Sequence, residues 1–107
     1  LRNLLAAYEL QAAEFYMRRG AFVAAANRGR YVVENFDTSP AVADALVLMA
    51  EAYTELDQPD LREGVVQVLR HNFPQHPRLS ENGDLEYEKR QRGRRSLASI
   101  VTFGLLD

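Results

Sequence analysis

Cysteine is absent from the 107-residue chain, which excludes disulfides, thiolate metal sites and thiol catalysis while leaving the compartment open. Charge of one sign is not in excess either. A formal net charge of -2 gives no global attraction to nucleic acid or to anionic membranes. No apolar run approaches the roughly eighteen residues needed to span a bilayer, and nothing at the start resembles a signal peptide. Histidine is scarce: His71 and His76 are split by Pro74 and cannot share a helix face as a metal pair would. No Gly-rich phosphate loop and no nucleophile motif occurs. The sequence therefore nominates no catalytic, cofactor-binding or metal-ligating residue.

What is present is repetition. Ala13-Glu14-Phe15-Tyr16 recurs 37 residues later as Ala50-Glu51-Ala52-Tyr53, and Asn35-Phe36 recurs as Asn72-Phe73. A period of this length signals a solenoid of helical hairpins, because one hairpin cannot bury its apolar face and must stack on a neighbour. With 47% hydrophobic and 26% charged residues, the chain can bury one modest core, so a single unit is expected rather than two domains. The chain begins in a helical pattern at Leu4-Leu5 without Met, and the expectation is a piece of a longer protein.

Two hairpins are expected within residues 1 to 77, over 3–37 and 40–73, followed by a linker and tail over 78–107. In the first helix Leu5, Tyr8, Ala12, Phe15 and Tyr16 recur at steps of three and four, which assigns them to one buried face. Arg18-Arg19-Gly20 ends that helix, with Gly free to turn left-handed. The second helix carries Phe22, Ala25, Ala26, Gly29, Val32, Val33 and Phe36, a strip small enough at its centre for another helix to approach closely. Asp37-Thr38-Ser39-Pro40 predicts a turn, a Ser N-cap and Pro at the first helical position. The third helix puts Val42, Ala45, Leu46, Met49, Ala52, Tyr53 and Leu56 on one face and stops near Asp57-Gln58-Pro59. The fourth carries Leu61, Val65, Val68, Leu69 and Phe73, and Pro74 closes it. Residues 74 to 84 hold breaker clusters and read as a linker or extended loop. Residues 85 to 95 have helical potential without an apolar stripe, and Ser96 to Leu106 reads as a docking segment for the solenoid or for a partner.

Charge is unevenly placed. Residues 41 to 66 hold Asp44, Glu51, Glu55, Asp57, Asp60 and Glu63 against Arg62 alone, whereas Lys89, Arg90, Arg92, Arg94 and Arg95 crowd into seven positions. Glu51 and Glu55 lie four apart and read as a solvated face rather than a carboxylate pair. The basic run, flanked by Glu86 and Glu88 and with only Tyr87 to stack a base, reads as partner-facing or solvated rather than as a nucleic-acid site. Arg18, Arg19, Arg28 and Arg30 are the stronger binding candidates, since forked guanidinium groups suit carboxylates on a partner.

The hairpin plan resembles a tetratricopeptide repeat: a small residue three before each Tyr (Ala13, Ala50), then Gly20-Ala21-Phe22 and Ala25 opening the second helix. In the second copy Gly20 becomes Asp57 and Ala25 becomes Arg62. The string from Tyr16 to Arg28, with Thr38-Ser39-Pro40-Ala41, Ala45-Leu46 and Glu51-Ala52-Tyr53, is similar to the C-terminal part of the BamD family, the tetratricopeptide lipoproteins of the outer-membrane β-barrel assembly machinery. The ending Arg95-Ser96-Leu97-Ala98 with Thr102-Phe103-Gly104-Leu105 is similar to the extended tails of some members.

That resemblance implies an all-α tetratricopeptide superhelix without enzymatic activity. It implies a protein lipid-anchored at the periplasmic face of the outer membrane, whose C-terminal repeats dock the last POTRA domain of BamA and which meets other assembly-complex lipoproteins. It also implies that Arg19, Arg28, Glu51 and Tyr53 bind the partner and that Asn27 supports helix packing. Two alternatives stay open on the residues: an adaptor that captures a peptide in its groove, and a tail that binds an anionic surface.

Overall fold

The computed structural model describes residues 1–80, 83 and 85. Among these, four α-helices follow one another: α1 (Arg2–Arg18), α2 (Phe22–Asn35), α3 (Ala41–Glu55) and α4 (Pro59–Asn72). Each packs on the next, and α3 touches all three others. The fold is an all-α helical repeat of two stacked hairpins. The basic run and the apolar ending over 86–107 lie outside the described residues.

The 37-residue repeat is reproduced hydrogen bond by hydrogen bond. At the end of α1, Ala21 N donates to Tyr16 O at 2.9 Å and Gly20 N to Met17 O at 3.0 Å; at the end of α3, Gln58 N donates to Tyr53 O at 2.9 Å and Asp57 N to Thr54 O at 3.1 Å. Both are Schellman closures, which require a left-handed residue after the cap. Gly20 takes it at φ +78° and Asp57 at φ +58°. Asp tolerates that region at a cost that Gly avoids. Asp57→Gly should therefore raise stability by about 0.5 to 1 kcal/mol, read as a higher urea midpoint with an unchanged slope; a lower midpoint would contradict the reading. The second helices also end alike, with Phe36 N bonded to Val32 O and Phe73 N to Leu69 O.

α3 is enclosed on every side, from Val42 and Ala45 through Tyr53, because α2 and α1 lie along one flank and α4 along the other. The small strip of α2 does admit a close neighbour. A Cβ on Gly29 would stand 2.8 Å from Met49 Cγ and 3.3 Å from Ala45 O, so only Gly lets α2 approach α3 this closely. Asn27 is exposed and does not support that packing. At the turn into α3, Ser39 Oγ accepts from Ala41 N at 3.1 Å, and the helix begins one residue later than expected, after Pro40.

Two buried faces differ from expectation. In α1 the buried residues are Ala6, Ala13 and Met17, with Leu10 packed beside them, while Leu5, Tyr8 and Phe15 are exposed. α1 is apolar around much of its circumference, and the small residues face inward because they allow closer approach to α2 and α3. In α4, Val66 and Leu69 are buried and Leu61 and Val68 are exposed. The segment after α4 is not extended away from the fold. Leu79 and Leu85 form an antiparallel bridge, both pack on the core, and Arg70 Nε donates to Gly83 O at 2.7 Å.

Candidate functional site

The expected site residues separate into three places. The first is an edge of the α1–α2 hairpin. The Arg19 guanidinium lies 5.4 Å from the centre of the Phe15 ring, and Phe15 meets Tyr16 edge-on with ring centres 5.8 Å apart. Arg28 Nη1 donates to Glu9 Oε1 at 2.7 Å. That hydrogen bond, then the carboxylate charge, pushes the Arg28 guanidinium above its ordinary value. The Arg28 side chain remains 40% exposed despite its partner.

Tyr53 belongs to the second place. Its side chain is buried, and its hydroxyl oxygen accepts from Arg30 Nη2 at 2.9 Å. That hydrogen bond raises the Arg30 guanidinium above its ordinary value. Tyr53 joins α3 to α2 and fixes an exposed arginine.

Glu51 is the third, and the solvated face expected for it is corrected. Two residues from Tyr53 on a helix is about 200° around the axis, so the two side chains leave α3 on opposite sides. Glu51 is 1% exposed, and Arg78 Nη2 donates to its Oε2 at 2.8 Å. Glu55, one turn on, is exposed as expected. A carboxylate this buried needs a cation and hydrogen bonds to offset its desolvation. Arg78 is itself positioned by His76, whose Nδ1 accepts from Arg78 N at 3.1 Å. Nδ1 as acceptor leaves the ring proton on Nε2, which faces Asp44 Oδ1 at 3.3 Å. The cluster clasps the segment after α4 onto α3.

The sequence did not point to Glu9, Phe15 or Arg78 as parts of these arrangements. Phe15 had been assigned to the core, and Arg78 lies 27 residues from its partner. Glu9 offered the one readable signal, one of two acids, with Glu14, on a helix facing an arginine-rich one. Among the described residues no group of three or more His, Asp and Glu is placed to hold a metal ion, and no described helix is long and apolar enough to cross a membrane.

Residues 1–69 match the family model YfiO, described as outer membrane lipoprotein. The chain belongs to the YfiO family. Its similarity extends to proteins named outer membrane protein assembly factor BamD: 43% identity over 79 residues in Xylella fastidiosa strain Temecula1, covering 74% of this chain and 27% of the relative. In Neisseria gonorrhoeae the identity is 36% over 80 residues, covering 75% and 30%, and in Vibrio cholerae 36% over 72 residues, covering 67% and 30%. The chain spans less than a third of the length of these relatives. The aromatic-cationic edge, the Tyr53 bridge and the clasp lie on a YfiO-family helical repeat whose relatives carry an assembly name rather than an enzymatic one.

Proposed function

We propose that this chain is the docking part of a scaffold subunit in outer-membrane protein assembly, and that it seats the last POTRA domain of BamA. The full-length protein would be lipid-anchored at the periplasmic face of the outer membrane, where other lipoproteins of the complex join it. The observation that carries the reading is the pair of guanidinium groups on the α1–α2 hairpin, Arg19 held over the Phe15 ring and Arg28 paired with Glu9 while still 40% exposed. Stacked helix pairs keep the two in fixed register, so the partner is oriented rather than chemically altered. Tyr53 and Glu51 would act at the other two places, Tyr53 by holding Arg30 and Glu51 by anchoring Arg78. The assembly role of the relatives supports the same reading.

Arg28→Glu removes a cation from the edge and places a repelling charge there. Binding to the POTRA domain should weaken by about 2 kcal/mol, roughly thirtyfold, in a calorimetric titration. The same substitution breaks the pair with Glu9, so a charge swap, Glu9→Arg with Arg28→Glu, separates the two effects. The swap keeps the pair and inverts the surface. It should melt like the unaltered chain and still bind weakly; affinity restored by the swap would assign Arg28 to hairpin stability alone and overturn its docking role.

A further inference from the structure

In a helical superhelix the second helix of one hairpin offers a face to the first helix of the next. On α2 that face carries Ala25, Gly29 and Val33, and α3 meets its centre with Ala45, Leu48 and Met49 around Gly29. Thirty-seven residues on, α4 carries Arg62, Val66 and Arg70 at the same places. What meets the two ends of this row is a strap, the segment of Leu79, Ser80, Gly83 and Leu85. We infer that the strap bars a second copy of this chain from continuing the superhelix, by filling the seat on α4 that α1 of the other copy would take.

The strap is fastened where the two rows differ. Arg70, in place of Val33, donates from Nε to Gly83 O at 2.7 Å, and Arg62, in place of Ala25, donates from Nη2 to Leu85 O at 3.4 Å. Gly83 is fitted to this contact. Its φ is +86°, and a Cβ there would stand 2.9 Å from both Cδ and Nε of Arg70. Its N–H donates to Ser80 O at 3.0 Å, which closes the turn. Leu79 and Leu85 bridge each other and pack on the core. Val66 lies between the two arginines on α4 and is 1% exposed.

The other half of the contact is exposed on the same chain. Tyr8 stands 37 residues before Ala45, the α3 residue whose carbonyl faces Gly29. Tyr8 is 60% exposed, and Leu4 and Leu5, one turn earlier, are exposed beside it. A contact of Val66 with Tyr8 is bulkier than that of Gly29 with Ala45, and packed helices accommodate such differences over axial separations of about 8 to 10 Å. With the strap displaced, α4 of one copy and α1 of the next would present apolar side chains at matching places of the repeat. Such a contact joins two different surfaces and lengthens into open chains unless its rotation closes a ring. A repeat array needs a cover at its end for this reason.

Gly83→Val/Leu85→Asp should release the strap while leaving α4 unaltered. Because the chain has no cysteine, Val66→Cys supplies the only thiol, and its alkylation by a maleimide in dilute solution should accelerate about tenfold or more on release, the signature of a lost protecting contact. Met17→Cys, at a buried position on α1, should keep its rate. At high concentration the released chain should sediment as oligomers that Tyr8→Asp returns to monomers, whereas the unaltered chain stays monomeric. An unchanged Val66→Cys rate, a released chain that stays monomeric, an unaltered chain that oligomerises, or oligomers that Tyr8→Asp leaves intact overturns the inference. Should Met17→Cys accelerate as well, the double variant has unfolded, and Arg70→Ala, which withdraws the contact to Gly83, decides by the same readings.

Discussion

Tyr53→Ala should lower the unfolding free energy by about 4 kcal/mol, the loss expected when a buried aromatic side chain is cut back and its cavity only partly collapses. The ring is 5% exposed on the helix that all the others contact, so the cavity opens at the centre of the solenoid rather than at a rim. The hydroxyl contributes separately. Tyr53→Phe keeps the ring and removes only the oxygen that accepts from Arg30 at 2.9 Å, and should cost about 1 kcal/mol. Urea melts of the two variants divide the effect into packing and hydrogen bonding. A loss below about 1 kcal/mol for Tyr53→Ala would mean that the ring is not the pin between α2 and α3.

Arg78→Ala should cost about 2 to 3 kcal/mol, because it withdraws a guanidinium 2.8 Å from a carboxylate that is 1% exposed. Arg78 keeps some solvent contact, which places the figure at or below the low end for a buried pair. The size of the effect depends on Glu51 remaining charged and enclosed. Adding Glu51→Met to Arg78→Ala removes the buried charge, and the double variant should recover most of the loss. Additive losses in this cycle would show that the two side chains do not depend on each other. The clasp also ties His76 to Asp44, so the same variant should loosen the segment that carries Leu79 and Leu85.

The helix ends were legible because local chemistry decides them. Gly20 and the Asp57-Gln58-Pro59 break were read as stops, and both helices do close there. The small strip of α2 and the apolar face of α3 were legible because spacing and residue size agree. The α1 face was not. Its larger residues Leu5, Tyr8 and Phe15 have the periodicity of a core, yet Ala6, Ala13 and Met17 are buried, and periodicity cannot say which of two apolar faces meets the neighbour. Val66 and Val68 on α4 present the same ambiguity. Glu51 was misread for a different reason: burying a carboxylate depends on a partner far along the chain, and Arg78 gives no local signal. Arg19 and Arg28 were legible as candidates, whereas the ring beneath Arg19 and the carboxylate beside Arg28 are products of packing.

A calorimetric titration of the full chain with the BamA POTRA domain next to the barrel tests the account most directly. Micromolar or tighter binding, weakened by Arg28→Glu and by Arg19→Glu, is the predicted result. A chain that melts cooperatively and releases no heat on titration would contradict it.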